Sequence, residues 1–120
     1  MMIEEIKYPE DGKGINMKLN IKNENITLLS DVKMVNSYPN YFPGKYDIIA
    51  REITEGGDVL GMYGIEDPRV VQAEIGYTGP SFLESSDFII TIPYFENADK
   101  VEIFFKGDLI KTIYLKNIIN

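Results

Sequence analysis

Residues 15–22 alternate without error, with Ile15, Met17, Leu19 and Ile21 apolar and Asn16, Lys18, Asn20 and Lys22 polar. A two-residue period places the two sets on opposite faces of an extended chain and predicts a half-buried strand. Ile26, Leu28, Val32 and Met34 continue in a second run against Thr27, Asp31 and Lys33, with Ser30 as the exception on the apolar side. Asn23-Glu24-Asn25 between the runs reads as a short turn, so the two runs predict a hairpin.

Tyr46, Ile48 and Ala50 open a third strand, which continues through Arg51 to Glu55 into Gly56-Gly57-Asp58. Paired glycines supply the positive φ values of a tight turn, and a returning strand is predicted from Val59 to Ile65, where Gly61 and Gly64 signal bulges. Asp67-Pro68 punctuates the chain, and Val71, Ala73 and Ile75 give another alternating run before the loop composition of residues 76–81. Phe88, Ile90, Ile92 and Tyr94 alternate with Ile89, Thr91, Pro93 and Phe95. That strand is apolar on both faces, which predicts a central position, with pairing lost on one side at Pro93 for want of an N–H. Val101, Ile103 and Phe105 alternate with Lys100, Glu102, Phe104 and Lys106, and Gly107-Asp108 turns the chain into a last strand from Leu109 to Leu115. No window of ten or more residues carries a capped helical period; residues 96–100 have room for one helical turn.

The sum is seven or eight short strands separated by Gly, Pro, Asn and Asp turns, which points to an antiparallel β-sandwich in preference to a small barrel. Residues 36–44 and 76–87 are long enough to cross between sheets, as Greek-key connections require. One domain spanning 1–120 is expected, with 1–14 as a flexible or edge segment. No internal repeat or low-complexity linker interrupts it.

The stretch Gly44-Lys45-Tyr46-Asp47-Ile48-Ile49-Ala50, followed by the glycine turn and Val59-Leu60, resembles a hairpin of small immunoglobulin-like or fibronectin-III-like domains. Residues 88–94, 97–103 and 109–115 resemble the closing strands of such domains. They are appended to many bacterial and archaeal secreted and surface proteins, peptidases included. The resemblance covers the chain from Tyr46 onward and rests on turn and core patterns. It implies an immunoglobulin-like sandwich with an accessory role and no catalytic residue or cofactor. The Cys pair and Trp of antibody-type domains are absent.

Composition narrows the chemistry further. The 120 residues include neither Cys nor His, which removes thiol nucleophiles, imidazole triads, Cys/His zinc sites and disulfides together. Acid–base work would fall to carboxylates, Lys or Tyr. A net charge of −7, with basic residues scattered singly, argues against a nucleic-acid partner. The start, Met1-Met2-Ile3-Glu4-Glu5, has no basic stretch followed by an apolar run, so neither a secretory signal nor a membrane-spanning helix is read there. The chain is expected either to be cytoplasmic and complete or to be one domain of a longer exported protein, and the doubled Met favours a fragment.

The most unusual stretch is the loop Tyr38-Pro39-Asn40-Tyr41-Phe42-Pro43. Aromatic rings held by proline make stacking platforms for sugars or anchors for protein partners; alternatively they cap one end of the sandwich. Tyr38, Tyr41 and Phe42 are therefore candidate contact residues, and a double Tyr41/Phe42 alanine variant is expected to leave stability nearly unchanged. Phe95, Phe104 and Tyr114 join them as outward apolar positions of an interdomain or partner surface. Asp47, Asp58, Glu66, Asp67, Glu84, Asp87 and Asp108 near the loops raise a calcium reading, but no ligand spacing supports it. No phosphate loop, nucleophile elbow or metal motif occurs, and the many carboxylates cannot be paired from sequence. Asn25-Ile26-Thr27 matches the glycosylation acceptor pattern, which matters only in an exported chain. Arg51 and Pro68-Arg69 read as ordinary surface or turn residues.

The first reading is thus a non-enzymatic accessory domain, spacing or docking neighbouring domains or a protein partner at the cell surface. It has no cofactor, nucleic-acid partner or membrane insertion. A carbohydrate-binding module using the 38–43 loop, and a small stand-alone cytoplasmic binding protein, are the alternatives.

Overall fold

The alternating runs become strands. A computed structural model describes residues 1–71, 81–116 and 118. In chain order its strands are β1 (Met2–Ile3), β2 (Gly14–Lys22), β3 (Asn25–Leu28), β4 (Lys33–Val35), β5 (Gly44–Lys45) and β6 (Ile48–Ile53). There follow β7 (Val59–Ile65), β8 (Val70–Val71), β9 (Ser81–Phe82), β10 (Ser85–Pro93), β11 (Lys100–Phe105) and β12 (Asp108–Tyr114). All pairings are antiparallel. No helix occurs among the described residues, hence none long and apolar enough to cross a membrane.

Two four-stranded sheets carry the fold. One has the order β12-β11-β6-β7; in the other β2 lies between β10 on one side and β3 and β4 on the other. Ile15, Met17, Leu19 and Ile21 of β2, with Ile90 and Ile92 of β10, meet Ile48, Ala50, Tyr63, Val101, Ile103 and Ile113 of the opposite sheet in one buried cluster. Each such fully buried aliphatic side chain contributes about 1.5–3 kcal/mol, so this sandwich-like packing is what holds the sheets together.

The turns follow their residues. Lys106 and Gly107, with φ of 50° and 89°, form the two-residue connection of the β11–β12 hairpin, where positive φ at both positions matches the right-handed strand twist. Asn23, φ 55°, opens the turn between β2 and β3. The second apolar run does not stay one strand: it pairs with β2 at Leu19–Lys22, bends through residues 29–32, and pairs again at Gly14–Asn16 as β4. The bend falls at Ser30, the residue that broke the alternation. A register shift opposite Leu60 realises the bulge expected near Gly61. Residues 96–97 form a turn in place of a helical one, with the Ala98 amide donating to Phe95 O.

The run from Phe88 corrects the expectation of a central strand, because β10 ends the strand order of its sheet. The Leu29 amide donates to Lys18 O, so the peptide groups of Lys18 face β3. Those of Ile89, paired opposite Lys18, and of Thr91 in step with it therefore turn toward the free edge. Along that edge the Tyr41 hydroxyl donates to Thr91 O at 2.6 Å, and Pro93 has no N–H to leave unpaired. On its second face Ile89 is 62% exposed and only Pro93 is fully buried, so the apolar residue at 89 does not mark a central strand.

The N-terminal segment pairs with β5 and lies across the outer face of the β6–β11 sheet, where Ile3, Ile49 and Phe104 form a second buried cluster. The crossing at residues 36–44, from the β2 sheet to the β6 sheet, is as expected. The run Val71–Ile75 beyond its first residue, and the loop as far as Pro80, lie outside the described residues.

Candidate functional site

Tyrosines gather at one end of the sandwich. Tyr41 reaches from its loop into the core, its ring 5.0 Å from that of Tyr63, and burial pushes its hydroxyl up to about 12, with Tyr8 adding to the shift. Tyr63 points inward from β7 and donates to Lys7 O at 2.7 Å; burial, then the Glu52 carboxylate, raises its hydroxyl further. The Tyr8 hydroxyl donates to Tyr41 O and accepts from the Tyr41 amide, and its ring stacks on Tyr38 at 5.5 Å and 14°. The N-terminal segment and the 38–43 loop are thereby stitched into one unit.

Beneath this unit lies Glu52. It shares the inward parity of Ile48 and Ala50 on β6 and is fully buried. Its Oε1 accepts from the Phe95 amide at 3.2 Å, and its Oε2 has no hydrogen-bond partner among the described residues. Burial raises the carboxyl from 4.5 to about 8 against the opposing effect of the Phe95 hydrogen bond, so the neutral acid prevails at pH 7.

Above Glu52 a cleft of about 370 Å³ opens between the N-terminal segment and the β10–β11 connection, lined by Tyr8, Pro9, Glu10, Asp11, Tyr94, Phe95 and Glu96. Glu10, Asp11 and Glu96 are exposed, and none is ion-paired among the described residues. Burial raises the Tyr94 hydroxyl first, then the charges of Glu52, Glu96 and Asp11. Aromatic faces beside unpaired carboxylates can contact a ligand and attract positive charge.

The sequence-derived candidates divide between this end and other surfaces. Tyr38 and Tyr41 belong to the tyrosine unit; Phe42 is 66% exposed, its carbonyl held by the Tyr46 hydroxyl at 2.9 Å. Phe95 is half-buried in the cleft wall. Tyr114, 59% exposed on β12, and Phe104 on β11 are not part of it. Phe104 corrects the expectation of an accessible apolar anchor: only 9% exposed, it is covered by the N-terminal segment, with the Arg51 guanidinium 4.7 Å from its ring centre. Tyr41 likewise corrects the expectation of a loop ring whose removal leaves stability unchanged, because it packs on the core and caps the β10 edge.

The two arginines are structural. Arg51 pairs with Glu102 at 2.7 Å on the covered face. Arg69 is 3% exposed and holds Asp67 through two nitrogens, while a third donates to Asn23 O. These bonds tie the loop after β7 to the β2–β3 turn. Asp67, held below the usual carboxylate range by its Arg69 hydrogen bonds and charge against the effect of burial, is thus engaged elsewhere. Among the described residues no three or more acidic side chains are placed to hold a metal ion.

Sequence reasoning missed Glu52, Tyr8, Tyr94 and the cleft carboxylates. Only Glu52 left a signal, as an acidic residue on the apolar parity of its strand. No family profile, curated protein or solved structure matches this chain.

Proposed function

We propose that the chain is a non-catalytic accessory domain of a larger exported microbial protein, docking a neighbouring domain or protein partner through its tyrosine-rich end. The observation that carries this reading is how the perturbed polar groups are used. Tyr63 bonds Lys7 O, Tyr41 bonds Thr91 O, Glu52 accepts from Phe95, and Asp67 is clamped by Arg69. Each serves the fold, whereas the cleft presents rings and carboxylates, a chemistry of contact.

Strand order also supports the immunoglobulin-like part of the reading. In such sandwiches the last two strands precede the third in one sheet, with the next strand beside it, and the second strand pairs with the fifth in the other. The order β12-β11-β6-β7 and the β10–β2 pairing follow that scheme. Beside β2, however, stand β3 and β4, which come after it in the chain, where the scheme has a preceding strand.

The test is a photoreactive residue, p-benzoylphenylalanine, at exposed Asn97, next in the chain to Glu96 of the cleft, in cells making the protein, with exposed Lys18 on β2, outside the cleft lining, as control. Docking predicts an adduct to one polypeptide from Asn97 and none from Lys18; equal adducts from both would contradict it. Phe42 favours the second reading, a carbohydrate-binding module, because its ring is exposed on a loop bounded by proline. Affinity electrophoresis on a glycan panel decides that reading: retardation lost in Phe42→Ala supports it, and no retardation removes it.

A further inference from the structure

We propose that the cleft between residues 8–11 and 94–96 seats a basic side chain, Lys or Arg, presented by the docked polypeptide. The inference rests on the docking reading and names the chemistry of the contact. Tyr8, Tyr94 and Phe95 supply aromatic surface, and Glu10, Asp11 and Glu96 supply negative charge, with no basic residue in the lining. Alkylammonium and guanidinium groups are attracted both to ring faces and to carboxylates, so one ligand class satisfies both halves of the wall. An anion would meet three unpaired carboxylates, and a neutral apolar group would leave them desolvated without a partner.

A second feature lies behind the wall. Glu52 is wholly buried with Oε2 unpartnered, and its Oε1 holds the amide of Phe95, a residue of the cleft. Through this bond Glu52 stands directly behind the wall, and a cation seated in front of it favours the ionised form of a carboxyl that has no positive hydrogen-bond partner. The cleft is open to solvent, which suits the tip of a side chain standing on a macromolecular surface better than the enclosure of a free small molecule.

The experiment follows amide shifts of the labelled full chain during titration with a short Lys-containing peptide, the same peptide with norleucine for Lys, and n-butylammonium. Saturable shifts are expected at Tyr8, Glu10, Tyr94 and Glu96 with the Lys peptide, and none with the norleucine peptide. Glu10→Gln/Glu96→Gln is expected to weaken binding about tenfold, while Glu4→Gln/Glu5→Gln, which removes the same charge outside the cleft, should change it less than about twofold. Equal weakening by the two variants, or shifts spread over the β2 face, would overturn the assignment in favour of diffuse charge attraction. Butylammonium binding as tightly as the peptide would overturn the polypeptide source. Absence of any shift ends this proposal alone, because the Asn97 adduct tests docking separately.

Discussion

Glu52 makes the sharpest statement at the scale of a single residue. Its folded carboxyl is raised to about 8 from 4.5, so between those values the folded chain binds a proton that the unfolded chain has released. Stability from this group is then full at pH 4.5 or below and is lost as pH rises toward 8, a fall on the order of 2–4 kcal/mol. Asp67 acts in the opposite sense: its lowered carboxyl contributes stability above its unfolded value, lost as pH falls through the folded one. Denaturant unfolding across pH is expected to place maximum stability on the acid side of neutrality. Glu52→Gln, which mimics the neutral acid, should flatten the decline and stabilise the chain at pH 8. A wild-type curve flat from pH 5 to 8 would show that Glu52 is not held neutral. Tyr41 and Phe42 separate just as cleanely in thermal melts. Tyr41→Phe leaves Thr91 O without its donor and should cost about 1 kcal/mol, whereas exposed Phe42→Ala should stay within about 0.5 kcal/mol. Adjacent aromatics in one loop look alike in sequence. What distinguishes them is that the Tyr41 ring packs on the core and the Phe42 ring is exposed, in a loop whose backbone is held by the Tyr8 and Tyr46 hydroxyls.

Among the elements, β2 and the β11–β12 hairpin were legible because local rules suffice there: strict alternation on β2, and a turn residue of positive φ between two apolar runs. The position of β10 was not, since an apolar residue at Ile89 marks an exposed edge as readily as a second buried face. Gly64 shows the same limit. Read as a bulge signal, it instead makes room for the Tyr46 ring, into which a Cβ at residue 64 would intrude. Gly64→Ala should therefore destabilise by about 1–3 kcal/mol, and Tyr46→Leu in the same chain should recover part of the loss. Strictly additive losses in urea unfolding would show that the two do not meet. Arg69 was legible only as a turn residue, because its partners Asn23 and Phe105 are distant in sequence. Arg69→Met leaves the Asp67 carboxylate without its counter-charge and should cost about 3–5 kcal/mol by the same measurement. Arg69→Lys should recover only part, lacking the two-nitrogen grip.

For the molecule as a whole, what matters is which surfaces are already covered. On the outer face of the β6–β11 sheet the chain's own N-terminal segment covers Phe104 and Ile49, so these two have no outside partner to find, while Tyr114 on the same face stays exposed. At the tyrosine end the N-terminal segment lines an acidic cleft together with the β10–β11 connection and is tied through Tyr8 to the 38–43 loop. The all-β class was readable from strand spacing and turn residues, but a site assembled from three segments far apart in sequence has no local signature. A net charge of −7 adds a general attraction for basic partners, which salt screens over about 8 Å at physiological ionic strength. The most direct test of the account is competition: the photoadduct formed from Asn97 is challenged with excess Lys peptide and with its norleucine counterpart. The account predicts that the Lys peptide suppresses the adduct and the norleucine peptide does not. An adduct that persists unchanged under both would contradict docking through this cleft.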